Sequence, residues 1–247
     1  MSKFEGSHLK IKRAYRHIDE LNRMFATFLK TDFWTITVEN HPQTGVGKIA
    51  VTSIADLPAE VPLIIGDAVH CLRVALDHAI AGILGERGNR ETFPVGKTRE
   101  DVKTHSTYRL IQKTSPDLAG VILETIKPYD TGQPSIWAVS KFDNLDKHRL
   151  LIPTVTVQTI SGVSLESKDK NVKVIDNRFI LDAFGKYTIG RIAPGIEIEV
   201  THKGSAEAEI LFASGQPLEG QAVIPALLKM AEASSEAIKA IEDHLAY

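Results

Sequence analysis

The sequence predicts an α+β fold, and three observations carry the prediction. Apolar residues recur at three- and four-residue spacing over most of the first two-thirds, two alternating runs flank a turn near residue 41, and short β-branched segments follow Leu151. Ile11, Tyr15, Ile18, Leu21, Phe25 and Phe28 make Ser7–Leu29 a long amphipathic helix. Its other face is basic, with Lys10, Lys12, Arg13, Arg16 and Arg23 outnumbering Asp19 and Glu20. Phe33–Glu39 and Val46–Ser53 alternate around His-Pro-Gln-Thr-Gly and read as a hairpin.

A second helix is expected from about Pro62 to Glu86, with proline at its first turn and Gly88-Asn89 as its stop. Shorter helices follow near Arg99–Lys113 and Pro116–Lys127, ended by Pro128-Tyr129-Asp130-Thr131-Gly132, and another covers Ser135–His148. Pro153–Ser167, Val172–Leu181, Gly185–Ile192, Ile196–His202 and Ala206–Phe212 are expected to join the hairpin in an antiparallel sheet. Ile224–His244 closes the chain as a helix. The whole is expected as one α+β domain, 1–247, with a helical part (1–151) and a β-rich part plus closing helix (152–247) as the alternative division.

At 247 residues, 43% hydrophobic and 24% charged, the chain can bury a sizeable core and is neither disordered nor a stapled mini-protein. Twenty-nine Lys+Arg against 31 Asp+Glu average to −2, but that average spans a basic first helix and an acidic stretch, Glu207 to Asp243, with seven carboxylates. Cys71 is the single cysteine, which leaves no intramolecular disulfide, and it reads as a small apolar filler. Met1–Lys12 lacks the apolar run of a signal peptide, and Asp67, His70, Arg73, Asp77 and His78 interrupt the most apolar stretch. A cytoplasmic protein without membrane attachment is expected. Gly45-Val46-Gly47 has no following helix and is not a phosphate loop.

Two polar segments interrupt apolar helices. In Gly66–His78 (GDAVHCLRVALDH), Asp67, His70, Arg73, Asp77 and His78 fall within an arc of roughly 140° at helical spacing. These are residue types that titrate, bind metals or hold phosphate; the plainer alternative is a face of ion pairs such as Arg73–Asp77 at i,i+4. In Phe142–Arg149 (FDNLDKHR), Asp143 and Asp146 share a stripe with Ile136, Val139 and Leu150 and so face inward. Buried carboxylates need partners, and Arg73, His70 or His78 are the candidates. Lys147, His148 and Arg149 suit a helix C-terminus.

These two signatures, with Phe93-Pro94 and Ile126-Lys127-Pro128-Tyr129 between them, resemble a family of uncharacterised bacterial and phage proteins over Leu63–Leu151. That family carries G-D-x-x-H-x-L-R-x-A-L-D-H followed by L-D-N-x-D-K-H-R and often has Asn where this chain has Cys71; it implies no activity. Arg73-Val74-Ala75-Leu76-Asp77-His78 also resembles the R-x4-H motif of HEPN domains, which implies a helical, metal-independent ribonuclease with a cleft shared by two subunits.

Three functions follow. In an RNA-cleaving or RNA-binding protein of stress or phage defence, Arg73 would hold phosphate and His78 would move the proton. His70, Asp77, Asp67, Asp143, Asn144, Asp146, Lys147, His148 and Arg149 would support them, the basic first helix would track RNA, and the protein would be a homodimer without a cofactor. In a metal-dependent hydrolase, Asp67, His70, Asp77, His78, Asp143, Asp146 and His148 would ligate zinc, manganese or iron. In a non-enzymatic binding module, the same residues would form a buried polar network. His17, His105, His202 and His244 stand apart as surface or cap residues, and His41 precedes Pro42 in a turn.

Overall fold

The computed structural model describes residues 3–53, 55–85, 91–148, 151, 153–168, 173–180 and 187–246. Among these are seven α-helices and seven strands, an α+β chain as the periodicities predict. The chain divides into two compact units interleaved in sequence, one of residues 1–23, 59–153 and 212–247 and one of 24–58 and 154–211. The closing helix therefore groups with the helical unit and the N-terminal hairpin with the β-rich one.

The helical unit holds most of α1 (Glu5–Phe28), then α2 (Glu60–Leu84), α3 (Arg99–Thr104), α4 (Ser106–Thr114), α5 (Pro116–Gly120), a π-helical turn (Val121–Ile126), α6 (Pro134–Asp146) and α7 (Val223–Leu245). Helix α2 is its centre, packed on both α6 and α7. Ile65, Leu72, Leu76 and Ile80 are fully buried there, and burying each such side chain contributes about 1.5–3 kcal/mol. Phe142 of α6 stacks on Phe212 with ring centroids 4.5 Å apart. Helices α2 and α6 meet closely at Gly66, where a Cβ would stand 2.5 Å from Asp146 Oδ2.

Two expected helices are broken. The stretch 99–113 divides at His105, whose extended backbone (φ −63°, ψ 134°) ends α3 and starts α4. Its Nδ1 accepts the Thr107 N–H at 3.2 Å and caps α4, while a Thr98–Asp101 capping box opens α3. After α5 the hydrogen bonding widens into the π-turn, which Lys127 ends in the left-handed region (φ 54°) ahead of Pro128. Helix α2 ends at Gly85, with positive φ; the stop expected at Gly88-Asn89 lies outside the described residues.

The β-rich unit corrects one expectation. Its strands form two antiparallel sheets, where one was expected: β2 (Gly47–Ser53) lies between β1 (Trp34–Asn40) and β5 (Tyr187–Ile192), while β3 (Pro153–Ser167) pairs with β4 (Lys173–Ile180), β6 (Ile198–His202) and β7 (Ser205–Phe212). Pairing partners are set by register and by what covers each face, which periodicity along one strand does not encode. Trp34, Ile36, Ile49 and Val51 fill the buried face of the first sheet. Lys203 places its ammonium 5.1 Å from the Trp34 ring centre, donates to the Trp34 carbonyl and pairs with Asp32.

Candidate functional site

The five polar residues of α2 share an arc but not an environment. Arg73 stands at the edge of that arc beside the direction of Ile80, so the core covers it and leaves it only 9% exposed. Asp67, His70 and His78 are exposed, and Asp77 is half-buried. The result is three separate places on one helix.

At the first, His70 meets α6. Its Nδ1 lies 2.9 Å from Asp143 Oδ1, and Lys147 Nζ lies 2.6 Å from Asp143 Oδ2, so both carboxylate oxygens are engaged. The Asp143 side chain is 3% exposed and that of His70 is 53% exposed. With Nδ1 directed at the Asp143 carboxyl, Nε2 is the ring nitrogen left for other contacts. A buried carboxylate thus orients a surface imidazole. Asp146, beside Gly66, has its carboxyl pushed up by burial, then by the negative charges of Asp143 and Asp67, with His70 opposing. This place unites His70, Asp143, Asp146, Lys147 and Asp67. The inward stripe of α6 calls for a partner for Asp143; of the α2 candidates His70 supplies it, and Lys147 of the same segment is a second.

The second place is a buried clamp. Arg73 Nη2 lies 3.0 Å from Asp77 Oδ1 and donates to the Phe93 carbonyl at 3.2 Å; the Phe93 N–H donates to Asp77 Oδ1 at 2.7 Å. Phe93 itself is fully buried, so this pair fastens the chain at Phe93-Pro94 onto α2. Burial raises the Asp77 carboxyl above its ordinary range, against the attraction of Arg73 and the Phe93 N–H. Arg73 Nη1 is buried without a hydrogen-bond partner among the described residues. His105 is pushed below its usual value by burial and then by the Arg73 charge. Thr107, next to it, donates to Glu91 at 2.6 Å. His105 and the Phe93 backbone were missing from the sequence-based site; the signal available for them was only the proximity of Phe93-Pro94 to a capping histidine.

At the third place His78 packs on α1, where a Cβ on Gly6 would stand 2.8 Å from His78 Nδ1. Asn144 and His148 are exposed. Arg149 lies outside the described residues. His17, expected at the surface, is 7% exposed because it sits on the inward side of α1 beside Ile18. Cys71 is buried, and burial raises its thiol, with Lys10 and Arg13 of α1 pulling the other way. Two cations of the basic face of α1 therefore act electrostatically on Cys71 of α2.

Comparison with protein-family models, with curated proteins and with solved structures finds no match. The local chemistry must then be read from these groups alone. Among the described residues, no three His, Cys, Asp or Glu side chains are grouped to hold a metal ion. No helix of the described residues is long and apolar enough to cross a membrane. What the first place can do is move protons: an oriented imidazole and a carboxyl with a raised pKa stand close enough to influence each other, with Lys147 alongside.

Proposed function

We propose that this protein is a metal-independent, acid–base ribonuclease acting in the cytoplasm, with His70 as its proton-transfer group. The observation that carries the reading is the 2.9 Å contact between exposed His70 and buried Asp143. RNA is the substrate this reading favours: Lys147 touches the dyad, and the basic face of α1 (Lys10, Lys12, Arg13, Arg16 and Arg23) is the track the sequence offers to phosphates. Homodimerisation, which the HEPN resemblance implies, belongs to this reading, with the R-x4-H histidine His78 on the α1 side of α2.

In the cleavage step His70 Nε2 removes the proton of a ribose 2′-hydroxyl, and the 2′-oxygen attacks the adjacent phosphorus. The bond to the 5′-oxygen breaks, and that oxygen takes a proton from the acid form of Asp146, whose carboxyl is pushed up by burial and by the charges of Asp143 and Asp67. The products are a 2′,3′-cyclic phosphate and a 5′-hydroxyl end. Lys147 stabilises charge on the phosphorane oxygens. Arg73 is a positioning residue here, since Asp77 and the Phe93 carbonyl occupy its Nη2.

The test is cleavage of single-stranded RNA in excess EDTA by the wild type and by His70→Gln, with the dimer mass read by native mass spectrometry. Cleavage that survives EDTA and vanishes in H70Q supports the reading; equal rates in both proteins, or a wild type that leaves RNA intact, defeat it. The Arg73–Asp77–Phe93 clamp favours a second reading, a non-enzymatic binding module with a structural polar network. That alternative predicts RNA or another ligand bound and released unchanged.

A further inference from the structure

The first sheet of the β-rich unit carries an unusual row of charges. Register places Glu39 of β1 opposite Lys48 of β2, and Lys48 opposite Arg191 of β5. Directly opposed residues of an antiparallel pair share a face with Cβ atoms about 5 Å apart, and like charges there are destabilising. Lys48 and Arg191 are such a like-charged pair, and both are exposed. One carboxylate in the row leaves one positive charge in excess.

The β1–β2 turn walls this row into a cleft of about 470 Å³, to which His41 and Thr44 contribute with Glu39, Lys48 and Arg191. That volume lies within the range of small-molecule sites. The turn is held by the His41 N–H donating to the Val46 carbonyl at 2.9 Å and the Gly45 N–H to the His41 carbonyl at 2.9 Å. Gly45 has φ +67°, a conformation that favours glycine. The His41 ring is also held: its Nδ1 accepts the N–H groups of Gln43 and Thr44, each at 3.3 Å. A ring nitrogen that accepts carries no hydrogen, so the ring N–H is on Nε2, and His41 is a hydrogen-bond donor at the cleft. A donor imidazole, an ammonium, a guanidinium and the Thr44 hydroxyl thus line one cleft, and the opposed cations gain if an anion lies between them.

We propose that this cleft binds the phosphate group of a small phosphate monoester, with Lys48 and Arg191 clasping the phosphate and His41 Nε2–H donating to it. Arginine suits tetrahedral oxyanions through its forked donors, and lysine adds a point charge. Glu39, at the far end of the row, offers an acceptor to hydroxyl groups on the organic part.

The test uses the whole chain, with inorganic phosphate as the probe and acetate as the control anion. Two-dimensional amide NMR and thermal melting are recorded on the wild type, Lys48→Gln and Arg191→Gln. Phosphate is expected to shift amides around residues 40–48 and 191 and to raise the wild-type Tm. Each variant should lose about tenfold or more in phosphate affinity. Without phosphate Arg191→Gln should melt above the wild type, because the opposed positive charges are gone, whereas Lys48→Gln also gives up the cross-strand attraction to Glu39 and should melt close to the wild type. Unmoved amides, an equal phosphate response in the variants, or acetate matching phosphate at the same amides would each overturn the proposal.

Discussion

The Asp143 carboxylate, 3% exposed, holds the half-exposed His70 imidazole at 2.9 Å across the α2–α6 contact. The burial asymmetry matters because the hidden partner supplies orientation while the visible one can reach a substrate. Asp143→Asn should keep the shape and change the hydrogen bonding, since an amide can offer N–H where the carboxylate only accepts. On the acid–base reading, RNA cleavage should fall by about 10²–10⁴-fold. The melting temperature should move by only a few degrees, because His70 and Lys147 are both solvated enough to lose this partner cheaply. An unaltered cleavage rate in D143N would refute the role assigned to the dyad.

Arg73 and Asp77 should behave as a unit. Arg73→Ala removes the partner of a carboxylate that is 25% exposed and leaves the Phe93 carbonyl without its guanidinium donor. A loss of about 2–3 kcal/mol is expected in urea denaturation, somewhat below the loss for a fully buried pair. The double variant Arg73→Ala/Asp77→Ala should be less destabilised than the sum of the two single changes, with a coupling of about 1 kcal/mol or more. Strict additivity in that cycle would remove the clamp from the account.

His105 makes stability depend on pH in a defined direction. Its folded pKa is depressed below 6.5 by burial and by Arg73, so the unfolded chain takes up the proton first as pH falls. The stabilisation is present above 6.5 and is lost as pH drops through the folded value. His105→Asn retains a capping side chain without the titration. Its melting temperature should therefore decline less than that of the wild type between pH 7 and the mildly acidic range. Parallel declines would show that His105 does not contribute.

Gly66→Ala tests the contact between α2 and α6. Alanine gains about 1 kcal/mol in helix propensity over glycine, but its Cβ would stand 2.5 Å from Asp146 Oδ2 and must displace that carboxyl. Stability should stay within about 1–2 kcal/mol of the wild type, since a side chain rather than backbone is pushed aside. On the acid–base reading, RNA cleavage should fall with the displaced Asp146 carboxyl. Full cleavage by a folded G66A protein would argue against Asp146 as the proton donor.

The apolar spacing of α1, α2, α6 and α7 and the β-branched runs after Leu151 made the α+β class legible from residue order, because each periodicity reports how one element meets a core. The inward stripe of α6 announced that Asp143 needed a partner, and the polar arc of α2 named His70 among the candidates. Which α2 residue would serve lay beyond periodicity. Five residues in one arc differ in what covers them, and that depends on α1, α6 and the chain at Phe93, distant in sequence. His105 looked like an isolated histidine for the same reason, and the Lys48–Arg191 opposition appeared only with strand register. Local sequence thus determined the elements and their apolar faces, while the tertiary contacts decided that Arg73 is clamped, that His70 is the oriented imidazole and that two cations share one row. Long-range burial and hydrogen bonding assign those roles, and they arise between segments that residue order alone does not bring together.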